Sequence, residues 1–295
     1  MSNGKIILYA SYQTGENLPG YVQFALKHLA ETDFTVVLLT NKRPLSAETM
    51  SFLEDNEITL YLTDGDGNDF AMYRRFLKDI ANGRSNLAEF NTITRLLLLN
   101  DSIIYFQNNF DKFIRRAESN SADAISLTQS DEIRPHLQPF FLYLKQEAQG
   151  AFYLHLLETP EPRPSKEHLS MMEARLAREL GLARAFDEAE VQTAPLYRTQ
   201  QCDFSSYHEL IAQGGGFIHR ALLQKEFNAH DKAKLLRHGA YKTLSTDYSK
   251  LIMDAGLAPD FKEEWLPRPR RSAVIRKIEL SVLNAALKVL PHKAD

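Results

Sequence analysis

One cysteine, Cys202, in 295 residues excludes an internal disulfide. The fold therefore does not depend on oxidation, and Cys202 reads as a buried or incidental thiol before it reads as a nucleophile. Long apolar runs are equally scarce: no stretch approaches the roughly 18 residues of a membrane span. The opening MSNGKIILYASY carries one lysine and a short apolar run. It lacks the length of a signal peptide and reads as a first strand. The expected location is the cytoplasm, or the cytoplasmic face of a membrane. Nor is there an excess of positive charge. Lys and Arg number 35 against 38 Asp and Glu, for a formal charge of −3, so nothing overall calls for nucleic acid as a partner. The P-loop, G-x-G-x-x-G and G-x-S-x-G patterns are missing, as is any Cys/His cluster at zinc spacing. Kinases, Rossmann dehydrogenases and serine hydrolases lose most of their claim on those grounds.

The segments that are there alternate. Lys5–Ala10 (KIILYA), Phe34–Leu39 (FTVVLL), Ile58–Leu62 (ITLYL) and Thr94–Leu99 (TRLLLL) are short apolar runs suited to strands buried on both faces. Between them, Tyr21–Glu31, Ser46–Phe52 and Phe70–Ile80 carry apolar residues at helical spacing, with Ser46 placed to cap the second. Ala124–Leu127 and Phe140–Leu144 are further strands. Ser165–Leu180 is a helix expected to stop at Gly181. Strand–helix alternation predicts an α/β fold, a mostly parallel sheet with helices on both faces. Right-handed crossovers then bring the strand C-termini to one edge, where open α/β sheets bind ligands.

Four constellations could carry chemistry. Asn100-Asp101-Ser102 ends the fourth strand at that edge. Asp101 could hold a divalent cation or a sugar hydroxyl, and could equally cap the following turn. Asp64, Asp66, Asn68 and Asp69 surround Gly65 and Gly67. The run begins like a calcium loop, but Asp69 stands where that loop needs glycine. An acidic turn is the plain reading, although Asn68 and Asp69 open a helix whose amides could meet a phosphate. His136 and Gln138 precede FFLYL and can hydrogen-bond a sugar, though a lone histidine there is more often structural. Glu167 and Glu173, on the helix after Pro160, Pro162 and Pro164, could deprotonate an acceptor hydroxyl, though most such glutamates are solvated surface.

In order along the chain stand Ala10-Ser11-Tyr12, Leu38-Leu39-Thr40-Asn41, Gly67-Asn68-Asp69-Phe70, Leu97-Leu98-Leu99-Asn100-Asp101-Ser102 and His136-Leu137-Gln138-Pro139-Phe140-Phe141. Over residues 5–225 the chain resembles the rhamnan-synthesis F family of polysaccharide glycosyltransferases. That family carries a G-x-D-F turn, an L-L-N-D-S strand end and an H-L-Q-x-[YF]-F segment. Gly215-Gly216-Phe217-Ile218-His219-Arg220 with Leu222-Leu223 resembles a further family segment. The resemblance implies a GT-A-like fold and transfer of a sugar, often rhamnose, from a nucleotide-sugar donor to a glycan or lipid-linked acceptor. It implies binding roles for Ser11, Tyr12, Asn41, Asp69, Asn100, His136 and Gln138, and a catalytic or metal-holding role for Asp101. The family's Tyr-Glu pair, counted back from the glycine matching Gly181, falls near Ser170. Glu167 and Glu173 are therefore the nearest, off-register candidates for the base. N-D-S is also not the D-x-D of metal-dependent relatives, so Mg or Mn is compatible with the sequence and not demanded by it.

The division expected is a transferase domain over 1–265 and a tail over 266–295. In the tail, Arg268, Arg270, Arg271, Arg276 and Lys277 lead into IELSVLNAALKVL, a basic amphipathic helix suited to an anionic membrane surface or to packing on the parent domain or in a dimer. Two rival functions remain: a non-catalytic glycan-assembly factor on a degenerate transferase fold, and a nucleotidyl or phosphoryl transferase.

Overall fold

The computed structural model describes residues 4–13, 15–63, 69–84, 92–131, 133–158, 171–198, 209–210 and 213–220, with side chains in the last helix described from 178 onward. Strands β1–β4 span Lys5–Ser11, Thr35–Asn41, Thr59–Thr63 and Arg95–Asn100, and β5–β7 span Ile103–Tyr105, Ala124–Ser126 and Gln129–Ser130. Strands β8–β11 span His136–Leu137, Phe141–Lys145, Thr193–Pro195 and Phe217–His219. The helices are α1 (Gly20–Ala30), α2 (Ala47–Asp55), α3 (Asp69–Ala81), α4 (Phe110–Glu118), α5 (Gln146–Glu158) and α6 (Met171–Glu188).

A seven-stranded sheet forms the centre, in the order β10-β6-β9-β4-β1-β2-β3. β1, β2, β3 and β4 are mutually parallel, β10 is parallel to β6, and β9 runs antiparallel to both its neighbours, β4 and β6. The fold is thus α/β with a mostly parallel sheet, as the alternation of strands and helices predicts. The continuous apolar runs have a direct cause. Alternate residues point to opposite faces, and both faces are covered. Ile7 and Tyr9 of β1 pack with Val22, Leu26, Phe110 and Phe113 on one side. Ile6, Leu8 and Ala10 pack with Tyr73, Phe76, Phe152 and Phe186 on the other.

Ser46 caps α2 as its position suggests, its Oγ accepting from Thr49 N at 3.1 Å. Gly181 departs from expectation: α6 does not stop there but runs on to Glu188. The glycine serves helix–helix contact instead. A Cβ at Gly181 would lie 2.9 Å from Cε1 of His155 on α5, so the missing side chain lets α5 and α6 approach. Among the described residues, no helix is long and apolar enough to cross a membrane. The tail, Cys202 and the acidic run 64–68 lie outside the described residues.

Candidate active site

The sheet reverses its direction of growth beside β1. The chain lays down β2 and β3 on one side and then returns to place β4 on the other. Such a switch point opens a crevice at the strand C-termini, because the two connections leave on opposite faces. Ala10 of β1 pairs with Asn100 of β4, and Ser11 and Asp101 follow them at that sheet edge.

Asp101 is 8% exposed. Its Oδ2 accepts from Ser11 Oγ at 3.0 Å and from Gln13 Nε2 at 2.7 Å, with Nη1 of Arg220 at 3.4 Å. All these contacts fall on Oδ2, which leaves Oδ1 without a partner among the described residues. Burial pushes the Asp101 carboxyl above the ordinary carboxylate range, and the Asp69 charge adds to the rise. Arg220, Ser11 and Gln13 pull the other way.

Asn100 explains why an amide precedes the acid. Its Oδ1 accepts from Ser102 N at 3.1 Å and turns the chain out of β4. Its Nδ2 donates to Asp69 Oδ2 at 2.6 Å. Asp69 opens α3, and that helix is tied to the same strand end by Tyr73, whose hydroxyl donates to Leu99 O at 2.6 Å. Asp69 at the start of α3 and the Leu99-Asn100-Asp101 strand end are therefore one unit in space.

Asn41 works through Gln13. Its Oδ1 accepts from Gln13 N at 3.0 Å and its Nδ2 donates to Gln13 O at 2.9 Å, a two-point clamp on the loop after β1. Thr40 Oγ1 donates to Ser11 O at 2.7 Å. Arg43 secures the same loop, donating from Nε to Gly15 O and from Nη1 to Thr40 Oγ1, both at 2.6 Å. Tyr12, at 44% exposed, stands out from this edge.

Arg220 arrives from the far end of the described chain. β11 pairs antiparallel with β5, His219 opposite Ile103. Arg220 N then donates to Ser102 O at 2.6 Å, directly beside Asp101. Its Nη1 donates to Tyr21 Oη at 2.6 Å, with the guanidinium over the Tyr21 ring at 6.0 Å. Gln13, Tyr21 and Arg43 are site residues that sequence reasoning missed. In the sequence Arg220 stands only inside a resembling segment, because the β5–β11 pairing is what carries it to the sheet edge.

The remaining candidates lie elsewhere. His136 is buried with Glu179 of α6, Nε2 to Oε2 at 3.2 Å, and its Nδ1 faces Arg134 O at 2.8 Å. The pair lines a small cavity of about 40 Å³ with Gln129 and Thr193. Gln138 Oε1 accepts from Thr128 Oγ1 at 2.6 Å. No hydrogen bond among the described residues joins this group to Asp101. Glu167 and the side chain of Glu173 lie outside the described residues.

A divalent cation needs several oxygen ligands at 2.0–2.6 Å. No group of three or more His, Cys, Asp or Glu side chains able to hold one occurs among the described residues. Asp101 offers one carboxylate already neighboured by a fixed guanidinium, and Asp69 is engaged with Asn100 and with Phe70 N. Among the described residues, this donor set does not build a cation site.

The fold and site together define an α/β protein with a buried polar cluster at the β1–β4 switch point of its sheet. No protein-family model and no curated protein sequence matches the chain. Solved structures resemble it remotely. A proposed nucleotide-diphospho-sugar transferase from Desulfovibrio desulfuricans is 9% identical, with a TM-score of 0.44 over 86% of this chain and 98% of its own. A mannosyltransferase from Pyrobaculum calidifontis, solved with GDP-Man and Mn2+, is 10% identical, with a TM-score of 0.41 over 96% and 85%. A cytidylyltransferase from Leptospira borgpetersenii is 13% identical, with a TM-score of 0.37 over 70% and 84%. At these values the likenesses assign no chemistry to the chain.

Proposed function

We propose that the chain is a glycosyltransferase that moves a sugar from a nucleotide-sugar donor to a glycan or lipid-linked acceptor. The observation that carries this reading is the Asp101 cluster. A buried carboxylate with one oxygen unspent, flanked by a guanidinium, sits at the switch point of a parallel sheet. Oδ1 of Asp101 is placed to take a hydroxyl of the donor's sugar or ribose. Asn100 and Asp69 shape the wall beside it.

In the reaction, an acceptor hydroxyl attacks the anomeric carbon. The new C–O bond forms as the bond to the diphosphate oxygen breaks, and the nucleoside diphosphate leaves with that electron pair. The acceptor's proton passes to a carboxylate, for which Glu167 and Glu173 are the sequence candidates. Direct attack of this kind inverts the anomeric centre. Rhamnose as the sugar, a surface polysaccharide as the product and a cytoplasmic, membrane-docked location extend the same proposal from the family resemblance.

The test is Asp101→Asn, assayed for transfer and for hydrolysis of a panel of nucleotide sugars selected by thermal shift. A donor that binds the native state raises its stability. The variant is expected to lose at least a hundredfold in turnover while keeping its fold. Near wild-type turnover would remove Asp101 from the reaction and the reading with it.

A further inference from the structure

Departure of a nucleoside diphosphate requires positive charge beside it. Resting on the transferase reading, we propose that Arg220, and not a divalent cation on Asp101, holds the donor's diphosphate in this site.

Three observations carry this. First, the Arg220 backbone is fixed beside Asp101. Arg220 N donates to Ser102 O at 2.6 Å, and the β5–β11 pairing sets the residue before it. Second, its donors are only partly used. Nη1 serves Tyr21 and Asp101, while Nε and Nη2 have no partner among the described residues. With the side chain 29% exposed, a fork of N–H groups remains for an anion, and guanidinium forks match phosphate oxygens in pairs. Third, a cation on Asp101 would compete with what is already there. It would sit within 2.6 Å of a carboxylate oxygen whose partner Oδ2 has Nη1 at 3.4 Å. Two positive groups that close repel in a dry site, and relieving the repulsion means breaking the Tyr21 contact. Asp101 and Tyr21 thus orient the guanidinium, and the diphosphate completes its coordination. Nucleotide binding then needs no metal.

The experiment is calorimetric titration of the full chain with UDP, GDP, dTDP, CDP and ADP, each in excess EDTA and in Mn2+, and with the monophosphate of the best binder. The expected result is a dissociation constant that changes less than threefold between EDTA and Mn2+. Arg220→Met is expected to weaken the diphosphate at least tenfold and to erase the preference for diphosphate over monophosphate. Arg220→Lys, which keeps the charge but not the fork, should recover part of that preference. A general loss of packing would instead lower both nucleotides in proportion, which would overturn the role given to Arg220. Binding that appears only with Mn2+ would overturn the inference and leave the transferase reading standing, and this arm uses wild-type protein alone. No nucleotide binding in either buffer would overturn both.

Discussion

At the scale of single residues, the site trades stability for chemistry. Burial raises the Asp101 carboxyl, more than Arg220, Ser11 and Gln13 offset. A folded-state value above the unfolded one means that protonation favours the fold. That contribution is present at low pH and is lost as pH rises through the folded value. At neutral pH the ionised side chain is therefore a cost. Asp101→Asn is expected to unfold at or above the wild-type temperature at pH 7, with the gap closing as pH falls through the raised folded value towards about 4, the ordinary carboxylate range. Thermal unfolding across that range checks this, and a clearly lower midpoint for the variant at pH 7 would mean the charge is a net stabiliser. Asn100 shows the opposite economy, since one amide both turns the chain at Ser102 and holds Asp69. That double use explains an amide at a position where a second acid would repel Asp101.

At the scale of elements, two glycines separate backbone need from open space. Gly216 enters β11 at φ +66°, and a Cβ there would lie 2.6 Å from Asn109 Nδ2 and 2.7 Å from Gln107 Oε1. Left-handed geometry costs an alanine, and both neighbours would have to move. Gly216→Ala is expected to cost roughly 2 kcal/mol and, by shifting β11, to weaken diphosphate binding through Arg220. Gly150 lies within α5, with nothing within 4 Å of its added Cβ. Gly150→Ala is expected to gain roughly 0.5–1 kcal/mol with nucleotide affinity unchanged. Denaturant unfolding and titration of both variants give the comparison, and equal effects would refute it.

At the scale of the whole molecule, acid should act through the α5–α6 interface. His155 is buried there beside Gly181 and Phe70, and burial lowers its pKa to about 4 from 6.5. A lowered base is neutral in the fold and takes a proton on unfolding. Its contribution is complete above about 6.5 and drains away as pH falls towards 4, at most about 3 kcal/mol. Replacing His155 with Gln should flatten the pH dependence of urea unfolding in that window; an unchanged slope would assign the acid sensitivity elsewhere. For the 266–295 tail, sedimentation with anionic vesicles at low and high salt tests membrane docking. The expected outcome is binding that weakens with salt, because the arginines act through screened charge. Salt-indifferent binding, or none, would remove the electrostatic anchor.

Periodicity alone determined much of this protein. Runs such as KIILYA and RLLLLN are too apolar for any position except strands covered on both faces, and their alternation with helices forces a parallel sheet with one ligand edge. That brings the ends of the parallel strands, Asn100-Asp101 among them, to one edge; roles for Ser11, Asn41 and Asp69 come from the family resemblance and not from periodicity. What the tertiary structure decided are contacts that no local pattern encodes. Arg220 reaches Asp101 through pairing between β5 and β11, more than a hundred residues apart in sequence. Gln13 reads as an ordinary loop residue until the Asn41 clamp aims it. Gly181 looks like a helix stop and proves to be a contact point, because whether a glycine ends a helix or admits a neighbour depends on what packs against it. His136 likewise finds Glu179, its partner 43 residues on, only when α6 folds over β8. Local sequence sets which face is apolar and where a strand must end. Which distant polar groups meet is set by the packing of the elements that carry them.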